Sequence, residues 1–265
     1  MSQDQDQTRP VVLKIGGGEL DSPEFMTELA DTVAALQEAG EAIVVVHGGG
    51  KTIAEWQTAV GLQPEFIDGL RVTTEESLAV AEMVLSGTLN KRLVRTLGNR
   101  GLTAVGISGV DSATVQVTPL QSPKGDLGRV GDVTGVDLSL ISLLLRDGRI
   151  PVISPISVCP GDGLHYNVNA DHVAMAVAAV LPASRLVFLT NVPGVQIAGR
   201  PVRAMTAEQA RTWIEEGHIR DGMIVKVQSA LEAIERGVLQ AVITDLAGIR
   251  SGKGTGVLHA DNVQR

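Results

Sequence analysis

Two lysines stand beside glycines at places where a chain can meet an anion. Lys14 lies near the end of the apolar run Val11–Ile15, and Gly16, Gly17 and Gly18 follow it. Lys226 comes four residues after Gly222, early in a helical pattern, where its charge opposes the helix dipole. Bare backbone N–H groups beside an ammonium suit phosphate oxygens. Each lysine also has a plainer reading. Lys14 could be a strand lysine lying along apolar neighbours, and Lys226 a surface lysine.

A second glycine run, Val44-Val45-Val46-His47-Gly48-Gly49-Gly50-Lys51-Thr52, ends like a P-loop. The P-loop pattern G-x-x-x-x-G-K-[ST] would need a glycine at position 45, where this chain has valine. Nor does either run match the dinucleotide pattern G-x-G-x-x-G, because Gly16, Gly17 and Gly18 are consecutive. What remains is a strand, a glycine turn and a helix start, which suits an anion or is a tight turn packed for its own sake. In open α/β sheets ligands bind beyond the carboxyl ends of the strands. Two such loops on neighbouring strands could grip one polyphosphate from two sides. The weight then falls on the glycines, and Lys51 reads as a residue of the next helix's first turn.

Two polar segments could hold a second reactant. In Tyr166-Asn167-Val168-Asn169-Ala170-Asp171, a cap at Asn169 would put Asp171 in the first turn of a helix. Asp171 is then either a dipole-favoured acid or an acceptor that orients nearby lysines. In Asp68-Gly69-Leu70-Arg71-Val72-Thr73, Arg71 beside a glycine turn can grip a carboxylate bidentately or form a surface salt bridge. The five histidines show no metal-ligand spacing, and the single cysteine, Cys159, has no matched base, so no metal or thiol site is expected.

The elements that must position these residues follow from periodicity. Short β-rich apolar runs at 11–15, 42–46, 104–107, 151–154, 186–189 and 241–243 read as buried strands. Helical patterns fall between them. One opens at Ser22-Pro23 and runs to Gly40. A long one covers 74–99, with Leu78, Ala81, Val84, Leu85, Leu89 and Leu93 at helical spacing. Others cover 137–146, 169–180, 206–216 and 222–236, and 114–134 reads as a β-hairpin excursion. Alternating strands and helices predict a three-layer αβα sandwich around a mostly parallel open sheet. The pattern restarts after Leu181-Pro182.

Bulk composition narrows the function classes. The 265 residues carry 22 basic and 30 acidic groups, a net charge of −8, with aromatics at 2%. An acidic, aromatic-poor chain argues against nucleic-acid binding. No apolar run is long enough to span a bilayer, and the start MSQDQDQTRP has no apolar signal region. The expectation is a cytoplasmic protein that contacts no membrane.

Taken in order, LKIGGG (13–18), VVVHGGGK (44–51), DGLRVT (68–73), IPVISP (150–155), YNVNAD (166–171), LTNVPGV (189–195) and GMIVKV (222–227) resemble the amino-acid kinase family. GLRVT, YNVNAD and GMIVKV point within it to the acetylglutamate branch. The resemblance covers roughly residues 11–257. It implies an N-terminal lobe (1–182) for acyl-amino-acid binding and dimerisation, and a C-terminal lobe (183–265) for ATP. The implied reaction moves the γ-phosphoryl of MgATP to the side-chain carboxylate of N-acetyl-L-glutamate. By motif, Lys14 and Lys226 would be the cations on the transferred phosphoryl and the leaving phosphate, with Asp171 holding both. Gly16, Gly17, Gly48, Gly49 and Gly50 would line the phosphates. Gly49, Gly50, Arg71, Asn167 and Asn169 would contact the acyl substrate. Mg²⁺ would be held mainly by phosphate oxygens, with no protein ligand.

Three departures accompany the resemblance. Gly18-Glu19 follow the first two glycines, Asn191 stands where the family usually has aspartate, and TDLAGIRSGKGTGV departs from the usual C-terminal pattern. Arginine-inhibited members carry an extra N-terminal helix that builds hexamers. Only about ten residues precede the first strand here, which suggests a homodimer without strong arginine feedback. The alternative is a kinase acting on aminoadipate or glutamate linked to an acidic carrier protein. Such a kinase should show a basic patch, whereas 123–132 balances two basic residues with two acidic. A non-catalytic sensor of the same fold would be expected to lose Lys14, Asp171 or Lys226, and all three are present.

Overall fold

The computed structural model describes residues 9–258, so the readings that rest on the first eight residues fall outside the described part. The chain opens with β1 (Val11–Ile15). Ser22 then accepts the Phe25 N–H at 3.1 Å, and Pro23 takes the first position of α1 (Pro23–Glu38). β2 (Ile43–His47) passes through Gly48 and Gly49 into α2 (Gly50–Ala59). A small hairpin, β3 (Phe66–Ile67) and β4 (Leu70–Arg71), precedes the long helical stretch. That stretch is helical as expected but not uniform. α3 (Glu75–Glu82) and α4 (Asn90–Asn99) flank a π-helical segment, Met83–Leu89. Such segments are rare and are frequently found at functional sites.

β5 (Ala104–Ser108) leads into the expected hairpin, here β6 (Val115–Pro119) and β7 (Gly131–Val136). α5 (Ser139–Arg146), β8 (Ile150–Ser154), β9 (Ile156–Val158), β10 (His165–Asn167) and α6 (Ala170–Val180) follow. After β11 (Arg185–Leu189) come a hairpin, β12 (Gln196–Ile197) and β13 (Arg200–Pro201), then β14 (Ala204–Thr206) and α7 (Ala207–Glu215). α8 (Gly222–Glu235), β15 (Ala241–Thr244), α9 (Leu246–Ser251) and β16 (Thr255–Leu258) complete the described chain.

The main sheet has the order β14-β16-β15-β11-β1-β2-β8-β5. It is parallel except where β16 runs against β15, with β14 parallel to β16. β1 is the seam. On one side lie β2, β8 and β5, all from before residue 182, and on the other lie the strands from after it. A second sheet, β10-β9-β6-β7, is built beside the first half.

Strand periodicity sorts the core into two layers. Val12, Val44 and Val46 join one buried cluster with α5, α6 and α8, while Val11, Leu13, Ile15, Ile43 and Val45 join another with α1, α3 and α4. Successive side chains on a strand point to opposite faces. Lys14 therefore shares a face with Val12, toward α6, and His47 shares a face with Val45, toward α4.

Candidate active site

The strand ends put the two glycine loops side by side. β1 pairs with β2 in parallel register, Ile15 opposite His47, so both loops leave the sheet at its carboxyl edge. They touch through backbone. A Cβ added to Gly17 would come within 2.5 Å of Gly49 Cα, and one on Gly49 would meet Leu89 Cδ1 at 2.5 Å and Leu85 Cδ2 at 2.7 Å. The packing reading of these glycines therefore holds at Gly17 and Gly49. At Gly50 there is open space instead. The Gly48 N–H is taken by the Ile15 carbonyl at 2.9 Å, so it cannot serve a ligand as the motif reading had it. Gly49 caps α2 with no side chain, which leaves the N–H groups of the helix's first turn uncapped.

Lys14 sits where strand alternation sends it. Its Nζ lies 2.9 Å from Asp171 Oδ1, in the first turn of α6, with both side chains about one-fifth exposed. Asp171 Oδ1 is buried and takes no aligned hydrogen bond, so the ion pair is its compensation. Asn169 caps that helix, accepting the Asp171 N–H at 2.8 Å. Both sequence readings of this segment are thus met at once: a cap, and an acid that meets a lysine.

Lys226 is placed differently. Its ammonium donates to Thr190 Oγ1 just past the end of β11, not to Asp171. The structure therefore joins Asp171 to one of the two lysines expected on it. Because β11 is the neighbour of β1, Lys14 near the end of β1 and Lys226, reaching Thr190 from α8, both stand at the carboxyl edge of the sheet.

A cleft of about 260 Å³ opens over these loops, lined among others by Lys14, Gly16, Gly17, residues 48–50, Arg71, Asn167 and Asn169. Arg71 is fixed from three sides. It donates to Gln57 Oε1 at 2.5 Å and to the Gly50 carbonyl at 2.8 Å, and its guanidinium stacks 4.8 Å from the Phe66 ring centre. Burial lowers its pKa from the ordinary arginine value. Asn167 reaches Thr73 Oγ1 at 3.4 Å. Lys51 is outside this group, exposed and paired with Asp21 at 3.0 Å. Among the described residues, no three His, Cys, Asp or Glu side chains converge as a metal site, and no helix is long and apolar enough to cross a membrane.

Cations and uncapped N–H groups round a cleft make a receptor for an anion. The amino acid kinase family profile matches residues 9–245. The chain belongs to that family. Among amino acid kinases it is 46% identical over 250 residues to the acetylglutamate kinase of Chloroflexus aurantiacus, covering 94% of this chain and 97% of that one. It is 43% identical over 263 residues to the acetylglutamate kinase of Geobacillus kaustophilus, covering 97% of each. In three dimensions it superposes on N-acetylglutamate synthase from Neisseria gonorrhoeae, solved with coenzyme A and N-acetyl-glutamate. That match has a TM-score of 0.81 and 25% identity, and it covers 96% of this chain and 60% of that one.

Family motifs alone did not single out the supporting residues. Gln57, Thr190 and Asn90 are buried and polar, and each engages a residue of the site or of its glycine loop. Thr190 lies inside the quoted LTNVPGV motif. Gln57 comes seven residues after Gly50, about two turns along the same helix face, a spacing that could have marked it.

Proposed function

We infer that this chain catalyses ATP-dependent phosphorylation of the side-chain carboxylate of N-acetyl-L-glutamate, giving the acyl phosphate used in arginine biosynthesis. The observation that carries the reading is the Lys14–Asp171 pair at the mouth of two abutting glycine loops, with Arg71 held across the same cleft. Near-full-length identity to acetylglutamate kinases supports the substrate.

The chemistry sets modest demands. A carboxylate at pH 7 is already a nucleophile and needs no base. One of its oxygens attacks the γ-phosphorus, the bond to the bridging oxygen breaks, and ADP departs with the electron pair. The difficulty is bringing an anion to a polyanion, so catalysis is positioning and charge neutralisation. We assign Lys14 to the transferred phosphoryl, with Asp171 holding the ammonium in place. Lys226 is assigned to the leaving phosphate, oriented here by Thr190. The N–H groups of Gly17, Gly49 and Gly50 complete the phosphoryl cradle. Arg71, Asn167 and Asn169 take the carboxylates and amide of the acyl-glutamate. Mg²⁺ held mainly by the phosphate oxygens of the nucleotide would supply further charge neutralisation.

The reading extends to a division of labour, with 1–182 binding the acyl-amino acid and 183–265 binding ATP, on either side of the β1–β11 seam. It extends also to a cytoplasmic homodimer. The open edge of the sheet at β5, with exposed Met83 on the π-helical segment packed near it, supports that assembly. Sedimentation at micromolar concentration should return twice the chain mass. Hydroxylamine trapping of the acyl phosphate tests the reaction. Free N-acetylglutamate with MgATP should give hydroxamate, and N-acetyl-aminoadipate far less. The reverse preference, or no hydroxamate from either, would overturn the assignment.

A further inference from the structure

The buried histidine of the second glycine run has no part in the chemistry above. His47 ends β2 with no solvent exposure, on the face toward α4. Its Nδ1 lies 3.1 Å from the Gly48 carbonyl oxygen, and its Nε2 lies 3.3 Å from Asn90 Nδ2. Asn90 fixes which nitrogen carries the proton. Its Nδ2 also faces the carbonyls of Val152 at 2.9 Å and Ile107 at 3.3 Å, and its Oδ1 accepts from Lys91 Nζ at 3.2 Å. A flipped amide would set oxygen against two carbonyls, so Nδ2 points this way and donates. His47 Nε2 thus faces a nitrogen that can only donate, and Nδ1 faces the Gly48 carbonyl oxygen, which can only accept, so the neutral ring carries its hydrogen on Nδ1 and donates it to Gly48. Burial keeps the ring neutral, lowering its pKa to about 4.

That hydrogen bond has a consequence across one peptide. In a trans peptide the carbonyl of one residue and the N–H of the next point in opposite directions. Holding the Gly48 carbonyl toward the α4 face therefore turns the Gly49 N–H the other way, to the side where Lys14 and the start of α6 lie. The preceding peptide is fixed as well, because the Gly48 N–H donates to Ile15. Gly106 makes room for the arrangement, since a Cβ there would fall 1.9 Å from Asn90 Oδ1.

We propose that His47, set in one tautomer by Asn90, is a positioning residue that aims the Gly49 N–H at the transferred phosphoryl group. It touches no substrate itself. The inference rests on the phosphoryl-transfer reading above, and its test separates the two.

Nitrogen NMR of the His47 ring in the wild-type protein should show the Nδ1–H form throughout pH 5.5–8. An Nε2–H form would overturn the proposal whatever the enzyme's substrate. Kinetics supply the second arm, with kcat referred to sites counted by nucleotide titration so that unfolded protein does not register. An asparagine amide reaches the Nδ1 position, and a glutamine amide reaches only the Nε2 position. His47→Gln should lower kcat about 10- to 100-fold, below the full loss of such a donor, with both KM values within a few-fold of wild type. His47→Asn should recover most of that loss. A His47→Gln enzyme as fast as wild type, or a His47→Asn enzyme no faster than His47→Gln, would overturn the proposal. A wild type that makes no acyl phosphate would instead remove the functional reading, leaving the tautomer to be judged by NMR.

Discussion

The two sides of the β1–β11 seam hold their charged residues in different ways. On the β2 side the groups are held by fixed partners, up to three each. Arg71 has Gln57, Gly50 and Phe66, the Gly48 peptide has Ile15 and His47, and Lys14 has Asp171. On the β11 side Lys226 has, among the described residues, one neutral hydroxyl, and its helix is preceded by Asp221, a non-glycine residue with φ of 51°. The difference teaches where preorganisation resides. One wall of the cleft is built before any ligand arrives. The other offers a cation whose single bond is easily exchanged for a phosphate oxygen.

The largest effects should come from the cations. Lys14→Ala and Lys226→Ala should each lower kcat by at least about 10²–10³-fold, measured by acyl-hydroxamate formation. Retained kcat in both would end the comparison, because neither wall would then matter to the chemistry. Arg71→Ala should act on binding, raising KM for acetylglutamate by roughly 10- to 100-fold, the weight of a charge-assisted contact, while KM for ATP stays put. An effect confined to ATP would put Arg71 on the wrong side of the seam.

Stability should separate the walls next. Folded His47 stays neutral to about pH 4, whereas in the unfolded chain it takes up a proton near 6.5. The unfolded state thus binds more protons between those values, so this contribution is complete above pH 6.5 and is lost as pH falls toward 4. The depressed pKa corresponds to about 3 kcal/mol, readable as a fall in the urea midpoint that His47→Asn removes. Gly49→Ala must push Leu85 and Leu89 aside and should lower stability by about 1–3 kcal/mol. Thr190→Val, on the less constrained wall, should have the smallest effect. It should cost about 1 kcal/mol of stability, seen as a small shift of the same midpoint, since the bonds lost are one from the half-buried Lys226 ammonium, which can turn to water, and a long one to Asn191 Oδ1.

Much of the scaffold can be read from periodicity, and the reason lies in the strands. The runs at 11–15, 42–46 and 186–189 each fall within a residue of a strand that is buried in the sheet, because both faces of that sheet are covered and most positions must be apolar. The antiparallel β16 escaped that reading, since its four residues follow a glycine-rich turn and show little apolar pattern. The π-helical turn escaped as well, because its leucines keep a spacing that an α-helix also satisfies. Within the site, Lys14 could be found from the glycines beside it. Its partner's identity could not, for the 156 positions between 14 and 171 carry no signal that strand parity and a helix cap will bring them together. Asn90 was hidden for the same reason: a buried hydrogen bond leaves no periodic trace in either of its halves.

The central place of β1 has a further consequence during synthesis. β1 emerges first, yet one of its edges stays unpaired until β11, roughly 170 residues later, has left the ribosome. The half made of β1, β2, β5 and β8 can assemble meanwhile, and it carries an open apolar strand in its middle-to-be. A nascent chain stalled before residue 185 would thus expose a sheet edge shaped to accept a parallel strand, which makes it the stage most prone to aggregation and most in need of a chaperone.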